Sequence, residues 1–364
     1  MHPKWHSLGA NEFIQSYNGK TQDGDKIASI HEIIYEGIMF ESSMVNQKQK
    51  RKENHPVFDE IRDSCVRELR MKGFETEVYL LPGGVGVKLL NSNHPSLVQI
   101  AHLPIIEFDF DYAGSPSIEH LAFFQLKGVR FSQSKLQYFS DLNQFSLRKL
   151  YSNGAQATDF ESLSNHQLEE LSLCKTDVAE LNFLNCSPIN SLFLSNSGIT
   201  DSSFNSLKDK KFERLDLFRC EISDLSHFAG APLEELNISG TGIECLSPLS
   251  SSPLRKLEMR ATKVTDLSPL ASCPLEILHL PGSPIKSLSP LAYCPIHELN
   301  IAGLEIDDFS PLLNMPLKKL IVSNKKYEAH QVSILEDLEL SSLTSPGSPV
   351  DQKVEDFLEN IANY

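Results

Sequence analysis

A repeat of 21 residues constrains this chain more than any other feature of its sequence. In the C-terminal half, each unit begins with an apolar residue, 21 positions after the start of the previous unit: Leu233, Leu254, Leu275, Ile296 and Leu317. Each complete unit reads apolar-x-x-apolar-x-apolar, then Leu/Phe-Ser-Pro-Leu, with a Pro shortly before the next start. A unit this short cannot bury a core alone, so the units must stack on one another.

The same frame continues toward the N-terminus. Further starts lie at Phe212, Ile189, Leu168, Leu147, Leu126 and Ile105, with a degraded first unit at Gly84, which predicts 12 coils. The interval from Ile189 to Phe212 is 23 positions instead of 21. We expect the extra residues to form a helical turn capped by Asp201.

Coil positions are numbered here from the first apolar residue of each coil. Alternate residues of a strand point to opposite faces, so positions 4 and 6 (Leu236, Ile238) are predicted in the core and positions 3 and 5 (Glu235, Asn237) on the outer face of the sheet. Position 9 holds mostly Ser, Thr, Ala or Cys. Because proline fixes φ and too few residues remain for a full helix, the Ser-Pro-Leu segment predicts a 3₁₀ or extended return.

The period and the L-x-x-L-x-L head resemble the leucine-rich repeat, and the Ser-Pro-Leu turn is most similar to the short, internalin-like bacterial class. This resemblance implies an α/β-type repeat solenoid: an arc with a parallel β-sheet on the concave face and a 3₁₀ or extended convex side. Relatives usually carry Asn at position 9. The small residues found there instead predict a tighter turn.

An open solenoid needs caps at both ends, and the flanking sequence predicts them. We divide the chain into a loose N-terminal segment (1–50) with one possible helix, an N-terminal cap (51–83), the repeats (84–326) and a C-terminal cap (327–364). The first cap is predicted as a helix from Pro56 to Lys72 followed by a strand from Thr76 to Leu81. Residues 26–44 fit a helix, and a strand over residues 32–40 fits nearly as well.

The C-terminal cap is predicted as a short helix over residues 327–336, a closing strand over residues 338–340 and a last amphipathic helix. The apolar face of that helix consists of Val354, Phe357, Leu358 and Ile361. This arrangement resembles the ends of leucine-rich regions in some large bacterial proteins that also carry a serine/threonine kinase domain.

Composition excludes several classes of function. With 48 acidic residues against 33 Lys and Arg, the net charge is −15, which argues against binding to nucleic acid or to an anionic membrane. No window approaches 18 uncharged apolar residues, so no membrane insertion is expected. The N-terminus shows no export signal, so we expect seven reduced cysteines in a cytoplasmic protein.

Catalytic motifs are also missing from the sequence. Gly19-Lys20-Thr21 lacks the first glycine and the preceding strand of a phosphate-binding loop, and no zinc-protease, nucleophile-elbow or kinase motif occurs. Cys273 and Cys294 share a coil position, where a disulfide or a shared metal is conceivable, but we favour two buried thiols. We therefore predict a non-enzyme with no catalytic residue, cofactor or metal.

The candidate protein-binding residues lie on the predicted sheet face. Tyr151, Phe193 and Phe218 break its polar pattern, and Arg214 and Arg219 flank them, which is the composition of a binding hot spot. The alternative is that the aromatic rings simply pack on one another across strands. Opposite charges on neighbouring strands also predict ladders in the order Arg214-Glu235-Lys256 and Glu298-Lys319.

Glu107, Asp109 and Asp111 alternate along one strand and form a second candidate strip, for a basic segment or a cation. An acidic strand that pairs with Arg130 is the simpler interpretation, because a cation site needs six or more oxygens.

We therefore expect a non-catalytic protein-protein recognition scaffold that binds a protein or peptide on the concave sheet, with a monomer favoured. One alternative is a targeting, sensor or regulatory module linked to a signalling enzyme such as a kinase, which rests on the resemblance alone. Another is a small activity within residues 1–80 that the repeats target.

Overall fold

The computed structural model describes residues 56–110, 118–132, 136–346 and 354–362. The predicted N-terminal segment and Asp111 lie outside the described residues. The chain divides into two compact units. Of the described residues, the first unit holds 56–110, 118–132 and 144–146, and the second holds 136–143, 147–346 and 354–362.

The first unit begins with helix α1 (Pro56–Met71). Cys65 and Leu69, one turn apart, are its buried residues, and the spacing of four places them on one face. The helix ends at Gly73, whose φ of +83° suits only a residue without a Cβ. The Phe74 N–H then donates to the carbonyl of Leu69 at 2.9 Å, which returns the chain toward the core.

Four strands and one short helix complete the first unit. They are β1 (Thr76–Leu81), β2 (Gly84–Leu89), β3 (Ile105–Asp109), α2 (Ile118–Leu121) and β4 (Gly128–Ser132). β1 and β2 form an antiparallel hairpin closed by Pro82-Gly83, while β2, β3 and β4 are parallel. Proline followed by a glycine with φ of +86° fits a type II turn.

The second unit contains ten parallel strands in chain order. They are β5 (Lys149–Asn153), β6 (Glu170–Ser172), β7 (Ser191–Phe193), β8 (Arg214–Asp216), β9 (Glu235–Asn237), β10 (Lys256–Glu258), β11 (Ile277–His279), β12 (Glu298–Asn300), β13 (Lys319–Ile321) and β14 (Ser342–Thr344). The described part of this unit also contains two helices, α3 (Ala329–Asp337) and α4 (Val354–Ala362).

A ladder of leucines forms the core of the second unit. Position 4 of every strand pairs with position 4 of the next, and each of these leucines is at most 2% exposed: Leu150, Leu171, Leu192, Leu215, Leu236, Leu257, Leu278, Leu299, Leu320 and Leu343. Each CH₂ group buried in this way contributes about 0.8 kcal/mol. The outer face carries positions 3 and 5, as the alternation predicts.

Between consecutive strands from β5 to β13, the return of the coil is a 3₁₀ turn. Four of these turns are Ser-Pro-Leu segments with proline in the first turn, at Ser247–Leu249, Ser268–Leu270, Ser289–Leu291 and Ser310–Asn314. The longer coil makes the expected longer turn, Asp201–Leu207, but Asp201 is not its cap. Thr200 and Ser203 cap it reciprocally, and the Asp201 carboxylate accepts bonds from Ser223 in the next coil.

The closing strand also differs from the prediction. It is Ser342–Thr344, whereas Leu338 ends α3 and Leu340 lies between them. Leu343 is fully buried at the end of the leucine ladder, while Leu338 and Leu340 are partly exposed. The leucine ladder therefore determines which segment forms the strand, since the apolar alternation alone fits both 338–340 and 342–344.

Candidate functional site

The candidate residues of the second unit lie on the outer face of its sheet. The strand register aligns Tyr151, Ser172 and Phe193 along position 5, and Phe218 follows two residues after the end of β8. Arg214 occupies position 3 of β8. The fold thus brings three aromatic rings and an arginine from three coils onto one surface.

A buried carboxylate links these residues. Glu170 is only 8% exposed, accepts a hydrogen bond from the Tyr151 hydroxyl and forms an ion pair with Arg214 at 3.0 Å (Nη2 to Oε2). The Arg214 Nε donates to the Ser191 hydroxyl at 3.1 Å. A buried charge is tolerated only when it is paired and hydrogen-bonded, so removing Arg214 leaves the Glu170 carboxylate without its counter-charge.

Phe193 and Phe218 are half-buried, whereas the sequence predicted exposed rings. The Arg214 guanidinium lies over the Phe193 ring, 5.7 Å from its centre, and the Arg219 guanidinium lies 5.0 Å from the centre of the Phe218 ring. Both distances are within the range of a cation–π contact. Each of these two rings therefore contacts an arginine and stays partly exposed.

The predicted charge ladders form only in part. Glu298 pairs with Lys319 at 3.3 Å, as predicted, and also with His279 at 3.2 Å. Partial burial raises the pKa of Glu298, but Lys319 and His279 outweigh it, so the pKa lies below its usual value. Arg214, in contrast, reaches across β7 to Glu170, and Lys256 pairs with Glu258 on its own strand at 2.8 Å.

Position 8 carries a feature that the sequence analysis missed. In eight consecutive coils it has a positive φ: Gly154, Lys175, Asn196, Arg219, Gly240, Ala261, Gly282 and Gly303. From Gly154 to Gly282 its N–H donates to the carbonyl at position 7 of the following coil, as from Arg219 to Ser239 at 2.9 Å, while the Gly303 N–H donates to the Ser323 hydroxyl. Backbone pairing therefore continues past the strands. The four glycines in this column were the available signal.

The position 9 side chains satisfy the turn backbone in place of asparagine. Thr176, Ser197 and Thr241 each donate to the carbonyl at position 6 of their own coil, at 2.7, 2.6 and 2.6 Å. The Cys220 thiol and the Ser283 hydroxyl bond to the carbonyl of the preceding coil. A short hydroxyl at this position thus bonds the turn backbone directly.

The acidic strip of the first unit is partly neutralised. Asp109 pairs with Arg130 at 3.4 Å, which supports the simpler interpretation of this strand. The sequence analysis missed Tyr79, whose ring covers Gly86 next to Glu107. Burial, followed by the nearby Glu107 and Asp109, raises the pKa of Tyr79.

Among the residues that the structure describes, no group of three or more His, Cys, Asp or Glu is arranged to hold a metal ion. Cys273 and Cys294 are buried free thiols, and burial raises the pKa of both. No described helix is both long enough and apolar enough to cross a membrane.

Short parallel strands in register, joined by 3₁₀ turns with a 21-residue period, define the class of this molecule. It is a leucine-rich-repeat protein with short, internalin-like repeats. An internalin from Listeria monocytogenes aligns with 70% of this chain and 77% of its own length, at 21% identity and a TM-score of 0.53.

Two other solved structures are more distant in overall shape. A second Listeria internalin matches 52% of this chain and 84% of its own, with 27% identity and a TM-score of 0.41. A leucine-rich-repeat protein of Leptospira interrogans matches 75% of this chain and 86% of its own, with 16% identity and a TM-score of 0.41. No protein-family model and no curated protein matches the sequence.

Proposed function

We propose that this chain is a non-catalytic recognition scaffold that binds a protein or peptide on the sheet face of the second unit. Tyr151, Phe193 and Phe218 supply the apolar contacts, and Arg214 and Arg219 supply the polar ones. The observation that carries the proposal is the arrangement of Arg214, which is held by Glu170 and Ser191 and stacks on Phe193.

This arrangement lowers the cost of binding. A free arginine loses about 2 kcal/mol of side-chain entropy when a partner immobilises it. Arg214 is already fixed by two polar partners and one ring, so a partner bound to its remaining N–H groups avoids most of that loss. Half-buried aromatic rings have the same advantage, because they are already ordered and partly desolvated.

The test compares partner recovery by variants of the whole chain. In the first variant, Tyr151, Phe193 and Phe218 are all replaced by alanine, and the immobilised protein is used for a pulldown quantified by mass spectrometry. We expect the main partner recovered by the wild type to fall at least about tenfold, since aromatic hot-spot residues each contribute about 2 kcal/mol or more. Circular dichroism and thermal unfolding verify that the variant is folded.

Exposed aromatics away from this face provide the matched control. Tyr138 and Tyr293 are 58% and 89% exposed, and replacing both with alanine should leave recovery unchanged. Arg219→Ala is a second probe, because this side chain is exposed and its removal disturbs no core contact. Equal recovery by the wild type and the folded triple variant would refute the proposed site.

A further inference from the structure

The charges that remain after internal pairing are segregated on the sheet face from β6 to β10. Within this described region, positions 2–8 contain six charged residues in ion pairs: Glu169, Glu170, Arg214, Arg255, Lys256 and Glu258. Asp216 forms no ion pair but is half-buried, and its carboxylate accepts the Phe218 N–H at 2.9 Å. Three exposed carboxylates have no ion pair, and we call them the carboxylate group: Glu213, Glu234 and Glu235. Three exposed cations also have none, and we call them the cation row: Lys175, Arg219 and Arg260.

The two groups lie at opposite ends of the strands. The carboxylate group occupies positions 2 and 3 of neighbouring coils. Arg214 lies opposite Glu235 in the β8–β9 strand register, so Glu213 lies next to Glu234. The cation row occupies positions 7 and 8. Arg219 lies six positions after Glu213, which corresponds to about 20 Å of extended chain.

Backbone pairing orders the cation row. Lys175 donates to the carbonyl of Ser195, Asn196 to that of Phe218 and Arg219 to that of Ser239, at 2.8, 2.8 and 2.9 Å. Neighbouring strands are about 4.8 Å apart, so the backbones of Lys175 and Arg219, two coils apart, are separated by about 10 Å. Phe193, at position 5, lies between this row and the carboxylate group, whereas Phe218 lies at position 7, beside Arg219 in the row.

Resting on the function proposed above, we propose that the partner presents an extended segment whose charges complement this pattern. Its Lys or Arg side chains lie over the carboxylate group, its apolar side chains contact Phe193 and Phe218, and its Asp or Glu side chains reach the cation row. Complementary charge at both ends fixes the direction of the segment across the strands and disfavours the reversed orientation.

The same surface disfavours a broad anionic ligand. Asp177 and Glu221 are exposed and lie two residues beyond Lys175 and Arg219. The cation row is therefore narrow, because the next acidic residue along the coil follows within about 7 Å. A membrane or a nucleic acid would bring its phosphates against these carboxylates, whereas a single extended segment meets only the row.

A display library of random peptides tests the proposal directly. Peptides of about twelve residues exceed the 20 Å span, since each residue extends about 3.3 Å. Selection on the wild-type chain should enrich sequences with basic residues at one end, apolar residues in the middle and acidic residues at the other. An enriched peptide and a version with its acidic and basic residues exchanged are then synthesised, and fluorescence anisotropy measures their dissociation constants.

The decisive variant exchanges one charge at each end, by Glu234→Lys and Arg219→Glu. It should bind the enriched peptide about tenfold more weakly than the wild type and should prefer the charge-exchanged peptide. The control variant makes the same kinds of exchange at exposed residues off the face, by Lys286→Glu and Glu305→Lys, and should keep the wild-type preference. Thermal unfolding verifies that both variants are folded.

The outcomes separate this proposal from the broader one. Enriched peptides that lose binding on Phe218→Ala but show no charge order would overturn the charge pattern and leave the recognition face intact. A dissociation constant that is unchanged both by Phe218→Ala and by the charge exchange would count against both proposals. Failure to enrich any peptide overturns the extended segment, while the pulldown tests the face independently.

Discussion

At the scale of the residue, position 8 carries the conformational strain of the coil. A left-handed conformation costs a residue with a Cβ about 1–2 kcal/mol, yet Lys175, Asn196, Arg219 and Ala261 adopt it. The backbone bond to the next coil is formed in each case, as from Ala261 to Pro281 at 3.0 Å. Neighbouring coils thus impose on these residues a conformation that their local sequence does not favour.

Ala261 and Gly282 offer a matched pair, because they occupy position 8 in consecutive coils. We expect Ala261→Gly to raise the free energy of unfolding by about 0.5–1 kcal/mol. Glycine relieves the strain of the left-handed conformation, and its larger loss of backbone entropy on folding offsets part of that gain. Gly282→Ala should lower it by a similar amount, because φ is +74° and no atom lies within 4 Å of an added Cβ. Urea denaturation measures both, and the same sign for the two substitutions would contradict this account.

The position 9 hydroxyls provide the second residue-scale prediction. Thr241 is buried and its hydroxyl donates to the carbonyl of Ile238 at 2.6 Å. Thr241→Val keeps the shape and removes the hydroxyl bond, while the carbonyl keeps the backbone bond from the Thr241 N–H at 3.3 Å, so the free energy of unfolding should fall by about 0.5–1.5 kcal/mol. Thr241→Ser retains the hydroxyl and serves as the control in urea denaturation. A larger loss for serine than for valine would show that packing dominates at this position.

At the scale of the element, an aspartate positions the 3₁₀ turn of several coils. Asp224 accepts bonds from the backbone N–H of Ser226 at 2.8 Å and from its hydroxyl at 2.6 Å. Asp266 and Asp308 accept the equivalent backbone bond from Ser268 and Ser310. The hydroxyl and backbone bonds of the serine lower the pKa of each aspartate.

These aspartates predict a pH dependence of stability. Because their pKa values are lower in the folded state, their contribution is present above the unfolded value of about 3.9 and is lost as pH falls through the folded values. Replacing Asp224, Asp266 and Asp308 with asparagine should flatten the fall in the free energy of unfolding below about pH 5. Urea denaturation at several pH values measures the slope, and Glu305→Gln, on an exposed carboxyl, is the control. An unchanged slope in the triple variant would exclude the aspartates as its source.

Most elements were predictable because each coil encodes its own strand and turn. The leucine at position 4 occurs in every coil from β5 to β13 and the proline of the return in four of them, so the period predicts these strands and short returns that are 3₁₀ or extended. The closing strand was misplaced because Leu338 and Leu340 show the same alternation as a strand. Only the pairing of Leu343 with Leu320 distinguishes the true segment.

At the scale of the whole molecule, the net charge of −15 matters less than its distribution. Many of the acidic side chains of the second unit pair with cations of neighbouring coils, and on the sheet face between β6 and β10 the exposed carboxylates that do not are grouped at one end of the strands. The sequence placed Tyr151, Phe193 and Arg214 on the sheet face, where the structure also has them, but the role of Glu170 as their shared partner was missed. Glu170 and Arg214 both occupy position 3 but lie two strands apart, whereas the charge pattern of the sequence predicts pairs only between adjacent strands.

The charge distribution predicts that the whole chain does not bind polyanions. We expect the purified protein to pass through a heparin column at about 0.15 M salt, because screening confines each charge to about 8 Å and the cation row is bordered by acidic residues. Glu221→Lys combined with Asp177→Lys should increase retention by widening the row. Strong retention of the wild type would contradict this prediction.

The sequence alone determined the coil boundaries, the leucine core and the 3₁₀ returns, because each follows from a local pattern of burial that every coil repeats. The tertiary structure decided which charges pair, how Arg214 is oriented and where the left-handed residues lie. Long charged side chains can reach several partners whose ion pairs differ by less than about 1 kcal/mol, so neighbouring coils select among them. Left-handed backbone at Arg219 and Ala261 depends in the same way on bonds to the next coil, which no local pattern contains.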